Sequence, residues 1–257
     1  MPKLIISILC ISLFLCNDTF CDGTNSEEVV VEIPKPTISA MAAVKITNHN
    51  YLILGTHGGF KIYNVDNPIS PVKESEIIRY GMVTEIETDG NYAYFAIVYP
   101  FDYDIRELLI VDISRPKKPK VIDLFPIFKD EVDFCVKDKY IYEADGHSEL
   151  LNVFQMSKNR KKIVNIAEIK IGGYVNSVVI NGDTLFVEND VNASCFNIRD
   201  RRTPQYIEKK KIGYVNKIKM QTEVININGY TYTHKRVTNY NACDSLSDKS
   251  YIVIRKM

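Results

Sequence analysis

"LLIVDISRPKKPKVIDL", residues 108–124, holds a β-branched strand, a turn bracketed by Pro116 and Pro119, and the start of a second strand. Near copies stand at 60–77 (FKIYNVDNPISPVKESEI), 151–169 (LNVFQMSKNRKKIVNIAEI) and 195–212 (CFNIRDRRTPQYIEKKKI). Asn64, Asp112, Gln155 and Asn197 take the same place in each copy, at intervals of 48, 43 and 42 residues. A shorter element precedes each: NYLILG (50–55), NYAYFA (91–96), KYIYEA (139–144), DTLFVE (183–188), and a fifth, GYTYTH (229–234). Ahead of these come AAVKI, VTEIE, VDFCV, NSVVI and part of KIKMQTEVINI.

Each unit of 40 to 50 residues thus carries four short strands joined by Gly, Asn, Asp and Pro turns, with no long 3.6-period segment between them. That period and strand count predict an all-β fold, a five-bladed β-propeller of four-stranded antiparallel blades. The units run over about 42–82, 83–129, 130–173, 174–213 and 214–257. Proline fixes φ and cannot donate to a ladder, so Pro68, Pro71, Pro116 and Pro119 mark the turn into an edge strand. Lys117, Lys118, Arg201 and Arg202, in the same turns, read as solvated loop charges.

The fifth unit ends at YIVIRKM (251–257), which matches a third strand, whereas EVVVEIP (28–34) resembles a fourth. The expectation is that Glu28 to Ile33 pairs with Tyr251 to Lys256 and closes the ring. The alternative turns the chain at Asn228-Gly229, makes YIVIRKM the fourth strand and leaves the N-terminal strand loose.

Before the repeats, a basic Met1-Pro2-Lys3 and an apolar run from Leu4 to Cys16 have the layout of a secretory signal peptide, placed at 1–21, with the propeller at 22–257. This run of thirteen residues, broken only by Ser7 and Ser12, is too short to span a bilayer. A lipoprotein signal is the alternative, although Leu9, Leu15 and Phe20 precede Cys10, Cys16 and Cys21. Export to an envelope, periplasm or surface is expected. Lys+Arg and Asp+Glu are both 32, which gives nucleic acid no electrostatic footing and leaves the membrane only an N-terminal lipid anchor. The remaining cysteines are widely spaced, with no CxxC pair for zinc; Cys195 and Cys243 could pair in an oxidising space, and Cys135 reads as core.

LLIVDISRPKKP and GNYAYFA, with FKIYNVDNPISP and KYIYEADGHSELL, resemble the LVIVD repeat of exported bacterial and archaeal propeller proteins. The resemblance spans most of residues 30–257. It implies a propeller in a surface or envelope setting and carries over no catalytic residue.

Propeller ligands bind where loops between second and third strands gather with the blade connections. The segment Ile97 to Glu107, read as a long loop, offers Tyr99, Phe101, Asp102, Tyr103 and Asp104, aromatic rings beside carboxylates that suit a protein or a sugar ring. Lys235 to Ser250 offers Asn239, Tyr240 and Asp244 in a polar loop. His57, His147 and His234 with Asp145, Glu188 and Asp190 fall near second strands, but ordinary turn chemistry accounts for them and no metal or other cofactor is expected. No GxSxG, phosphate-loop, dinucleotide or HExxH motif is present. The leading expectation is a monomeric, non-enzymatic binding module for an envelope or extracellular protein or glycan. The alternative is a hydrolase acting on glycans through carboxylates at the channel mouth, with Glu85, Asp133 and Asp102 as candidates.

Overall fold

The structure, a computed structural model, describes residues 28–33, 37–100, 102–128, 132–189, 192–211, 224–227, 230–237 and 249–256. Residues 1–21, read above as a signal peptide, therefore lie outside the described residues, as do Phe101, Asp190, Asn239, Tyr240, Cys243 and Asp244. After β1 (Glu28–Ile33) the chain builds four-stranded antiparallel sheets in succession. The first holds β2 (Ile38–Ile46), β3 (His49–Thr56), β4 (Gly59–Asn64) and β5 (Val72–Ile78). The second holds β6 (Met82–Asp89), β7 (Tyr92–Tyr99), β8 (Asp102–Asp112) and β9 (Lys120–Phe128). Next come β10 (Val132–Lys137), β11 (Tyr140–Asp145), β12 (Leu150–Met156) and β13 (Ile163–Lys170) in the third. The fourth is β14 (Val175–Asn181), β15 (Thr184–Asn189), β16 (Asn192–Asn197) and β17 (Gln205–Lys211). A terminal sheet takes β18 (Val224–Ile227), β19 (Tyr230–Val237) and β20 (Lys249–Lys256), with β1 as its fourth strand. Glu28 lies opposite Arg255 and Ile33 opposite Ser250, so β20 stands third in its sheet with β1 outside it.

The repeated turn has a local cause. Asn64, Asp112 and Asn197 each end a third strand, and the Oδ1 of each accepts the backbone N–H two residues on, from Asp66, Ser114 and Arg199. This side-chain bond mimics a backbone turn and stops the strand. The next residue, Val65, Ile113 or Ile198, is fully buried. Its N–H donates to the carbonyl of Asn50, Asn91 or Asp183, at the start of the second strand or just ahead of it, at 2.8–2.9 Å. Met156 makes the same bond to Lys139 at 2.9 Å, although Gln155 in the third sheet has too long a side chain for the local cap.

Neither face of such a sheet is polar enough to stand alone, and apolar clusters fill the seams between sheets. One packs Met41, Leu54 and Tyr63 of the first sheet on Tyr232, Ile252 and Ile254 of the terminal one. A second joins Ile53 and Phe60 to Val83 and Phe95, with the two phenyl rings stacked 4.3 Å apart. A third sets Tyr94 and Leu108 against Phe134 and Phe154, and a fourth sets Tyr142 and Leu151 against Val178 and Val187. The first strands of neighbouring sheets abut, β18 beside β2, β2 beside β6, β6 beside β10 and β10 beside β14, which brings them together on an inner side. Gly55 of β3 lets β6 come close over the second strand as well, since a Cβ there would lie 2.5 Å from Val83 Cγ1.

Two expectations change. Residues 97–107 are not a long loop: β7 runs to Tyr99, β8 starts at Asp102, and Tyr99 pairs with Asp102 beyond a register shift. Alternating aromatic and β-branched residues favour a pleated ladder, and two residues suffice to reverse it. Nor is Arg201 a solvated charge. It reaches from the fourth sheet to the third, with Nε 3.0 Å from Asp138 Oδ2 and Nη1 3.1 Å from Asp183 Oδ1, while its carbonyl accepts the buried Tyr142 hydroxyl at 2.9 Å. Arg160 repeats the device one seam earlier, donating from Nε to the Tyr94 hydroxyl at 2.8 Å with its guanidinium 3.5 Å from the Tyr92 ring centre.

Candidate functional site

Glu85 lies on β6 opposite Ala96, and Asp133 lies on β10 opposite Ala144, the same place in successive sheets. On a pleated strand the side chain at this place leaves the inner strand toward the next sheet. Glu85 accepts the Phe134 N–H through Oε1 at 3.4 Å, and Asp133 accepts the Val178 N–H through Oδ2 at 2.9 Å. Ser39 begins the series with a 2.5 Å bond from Oγ to the Val83 carbonyl. These contacts tie the inner strands side by side and hold two carboxyl groups against each other.

Glu85 and Asp133 are themselves hydrogen-bonded. Removal from water, then this bond and the negative charge of Asp133, hold the Glu85 carboxyl well above the usual carboxylate range. Glu85 therefore keeps its proton to higher pH than an ordinary glutamate. Directly along the same strands, Glu87, Thr88, Cys135, Val136, Val178, Val179 and Ile180 line a cavity of about 280 Å3. Every one of these residues lies on β6, β10 or β14. The Cys135 thiol is buried, and burial with the nearby Glu87, Asp133 and Glu85 charges pushes it up, so it stays protonated and is a poor nucleophile.

Tyr99 ends β7, donates its hydroxyl to Glu107 and stacks on Tyr80 at 5.8 Å. Asp102, Tyr103 and Asp104 fall in β8, and Phe101, Asn239, Tyr240 and Asp244 lie outside the described residues. Among the described residues no group of three or more His, Cys, Asp or Glu is placed to hold a metal. His57 sits in the turn after β3, and His147 packs edge-on against Tyr174 at 5.7 Å. Cys195 is a buried, free thiol in β16. Arg79 and Tyr80, absent from the sequence-derived set, occupy the connection into β6; their only signal was their place just ahead of a first strand.

No family model and no curated protein matches the chain. Solved structures do. A candidate 6-phosphogluconolactonase of Bacteroides fragilis NCTC 9343 is similar with a TM-score of 0.52 at 11% identity, over 78% of this chain and 64% of that one. Another, of Bacteroides uniformis ATCC 8492, gives a TM-score of 0.56 at 11% identity, over 81% of this chain and 67% of that one. The chain thus spans about two thirds of the length of these propeller-like neighbours, and the likeness is one of fold.

Proposed function

We propose that this protein is a propeller hydrolase that opens a cyclic ester of a sugar acid, with Glu85 and Asp133 as its proton-transfer pair. The observation carrying this reading is the hydrogen-bonded carboxyl pair on the inner strands, beside a cavity those strands line. Glu85, whose carboxyl holds its proton the longer, is the acid, and the Asp133 carboxyl beside it is assigned as the base. Water oxygen adds to the ester carbonyl as that proton moves to Asp133; the ring C–O bond then breaks, and Glu85 gives its proton to the departing alkoxide. The product is an open hydroxy acid, and the pair is reset when the proton on Asp133 passes to Glu85. Glycoside cleavage fits less well, because two-carboxylate glycosidases hold their carboxyl groups roughly 5 Å or more apart and these two touch.

The fold neighbours support a hydrolase over the non-enzymatic binding module, since both carry a lactonase description. We further propose that the sheets form a five-bladed ring completed by β1, of the LVIVD-repeat type, on a monomer exported to the cell envelope. The test is a panel assay on the chain from residue 22: proton release with glucono-δ-lactone and 6-phosphogluconolactone, and colour release with nitrophenyl glycosides. Turnover of a lactone above its spontaneous opening supports the reading. Turnover of glycosides alone, or of neither class, overturns it.

A further inference from the structure

The connection between β5 and β6 carries a group of side chains that the hydrolytic pair does not use. Tyr80 is 62% exposed, an unusual position for a large ring that is also ordered by a neighbour. It stacks on Tyr99 with ring centres 5.8 Å apart and planes 25° from parallel. Tyr99 in turn is held on both sides, donating its hydroxyl to Glu107 and accepting from the Arg79 side chain. Arg79 is anchored through its backbone N–H to the Gly58 carbonyl at 3.0 Å. Its Nε is buried without a hydrogen-bond partner and the residue is half-buried, so a donor offered to a ligand beside the stack is a terminal Nη. Gly81 seats the connection against β7 at φ +109°, where a Cβ would meet Ile97 at 2.6 Å and Tyr99 at 3.3 Å. Tyr80 is therefore a fixed exposed ring at the end of the second sheet where β6 begins, and Glu85 follows on that strand.

We infer that Tyr80, backed by Tyr99 and Arg79, is a platform for a sugar ring, and so sets which ester reaches the carboxyl pair. This rests on the hydrolase reading for its link to turnover, but not for binding itself. An exposed aromatic face takes the C–H face of a pyranose, and a guanidinium at its edge donates to the ring's oxygens. A bare apolar partner would make no use of the charged groups beside the ring, whereas a polyhydroxylated ring can hydrogen-bond to them.

The chain has no tryptophan, so Tyr80→Trp installs a single indole reporter at the platform itself. Titration of that variant with methyl β-glucoside and with glucuronate is expected to give saturable fluorescence changes, and glycerol none. Adding Tyr99→Ala is expected to weaken binding about fivefold or more. In the turnover assay Tyr80→Ala should raise KM about tenfold with kcat nearly unchanged, whereas Tyr206→Ala, an exposed ring on the outer strand β17, changes neither. Sugar binding without any lactone turnover would sink the hydrolase reading and leave the platform standing. Absence of a saturable sugar signal, or a glycerol response equal to that of the sugars, would overturn the platform, and lactone turnover indifferent to Tyr80→Ala would overturn its control of which ester reaches the pair.

Discussion

Glu85 and Asp133 lie 48 residues apart in sequence, the interval that separates Tyr92 from Tyr140, and their carboxyl groups hydrogen-bond to each other between adjacent inner strands. The repeat itself thus manufactures the contact: an acid written at one place in two successive units is delivered to two strands that abut. A carboxyl whose folded value lies above its unfolded one binds its proton more tightly when folded. Stability therefore falls as pH rises from the ordinary glutamate range, near 4.5, toward the raised value, and levels off beyond it. Glu85→Gln should flatten this slope and leave the variant the more stable protein at the alkaline end. Denaturant melts across pH check this; an unchanged slope in the variant would remove Glu85 as its source.

Arg201 joins the third and fourth sheets through Asp138 and Asp183, with its own side chain only 16% exposed but the two carboxylates 61% and 49% exposed. Solvent screening at the acids limits the pairs, and loss of packing adds to their removal. Arg201→Ala should cost about 1–2 kcal/mol, and Arg202→Ala, a neighbour in the same turn, close to nothing. Urea midpoints measure both. Equal small losses would return Arg201 to the status of a surface charge.

β1 completes the sheet that ends the chain, pairing along its whole length with β20. Removing residues 28–33 strips a ladder from β20 and should lower stability on the order of 3 kcal/mol, or roughly 6–12 °C in melting temperature. A melting temperature equal to that of the intact chain would count against closure by this strand.

At Gly55 the constraint is steric, because the Cβ of alanine would sit 2.5 Å from Val83 Cγ1 and 3.2 Å from Ile86 Cδ1. Overpacking of this kind costs about 1–3 kcal/mol. Gly55→Ala should therefore destabilise, and Val83→Ala placed on top of it should recover part of the loss rather than add its own. Simple additivity of the two in chemical denaturation would contradict a clash between them.

What could be read from the residues was whatever is local. The Asn64, Asp112 and Asn197 turns are written in a few letters because each side chain caps its own backbone. The pairing of 28–33 with the C-terminal strand was legible because both segments match known places in the repeat. Properties set by a second sheet were not. Arg201 looks like any charged turn residue until Asp138 of another unit comes to meet it, and residues 97–107 look like a loop until β7 and β8 pair through them. Glu85 and Asp133 were noticed by position, but their shared hydrogen bond depends on the inner strands lying side by side. Tyr80 carried no motif at all; its exposure, and the ring behind it, exist only in the folded chain.

The central claim is that the Glu85 and Asp133 carboxyls transfer protons in ester hydrolysis, and the most direct measurement is lactone kcat for the intact protein, Glu85→Gln and Asp133→Asn, taken with their melting temperatures. The account predicts that each variant folds and loses about 10²–10⁴-fold in kcat, and that the double variant loses little more than either single one, because the two groups act as a unit. Variants that fold and turn over the lactone at the rate of the intact protein would leave the pair as a tie between strands and nothing more.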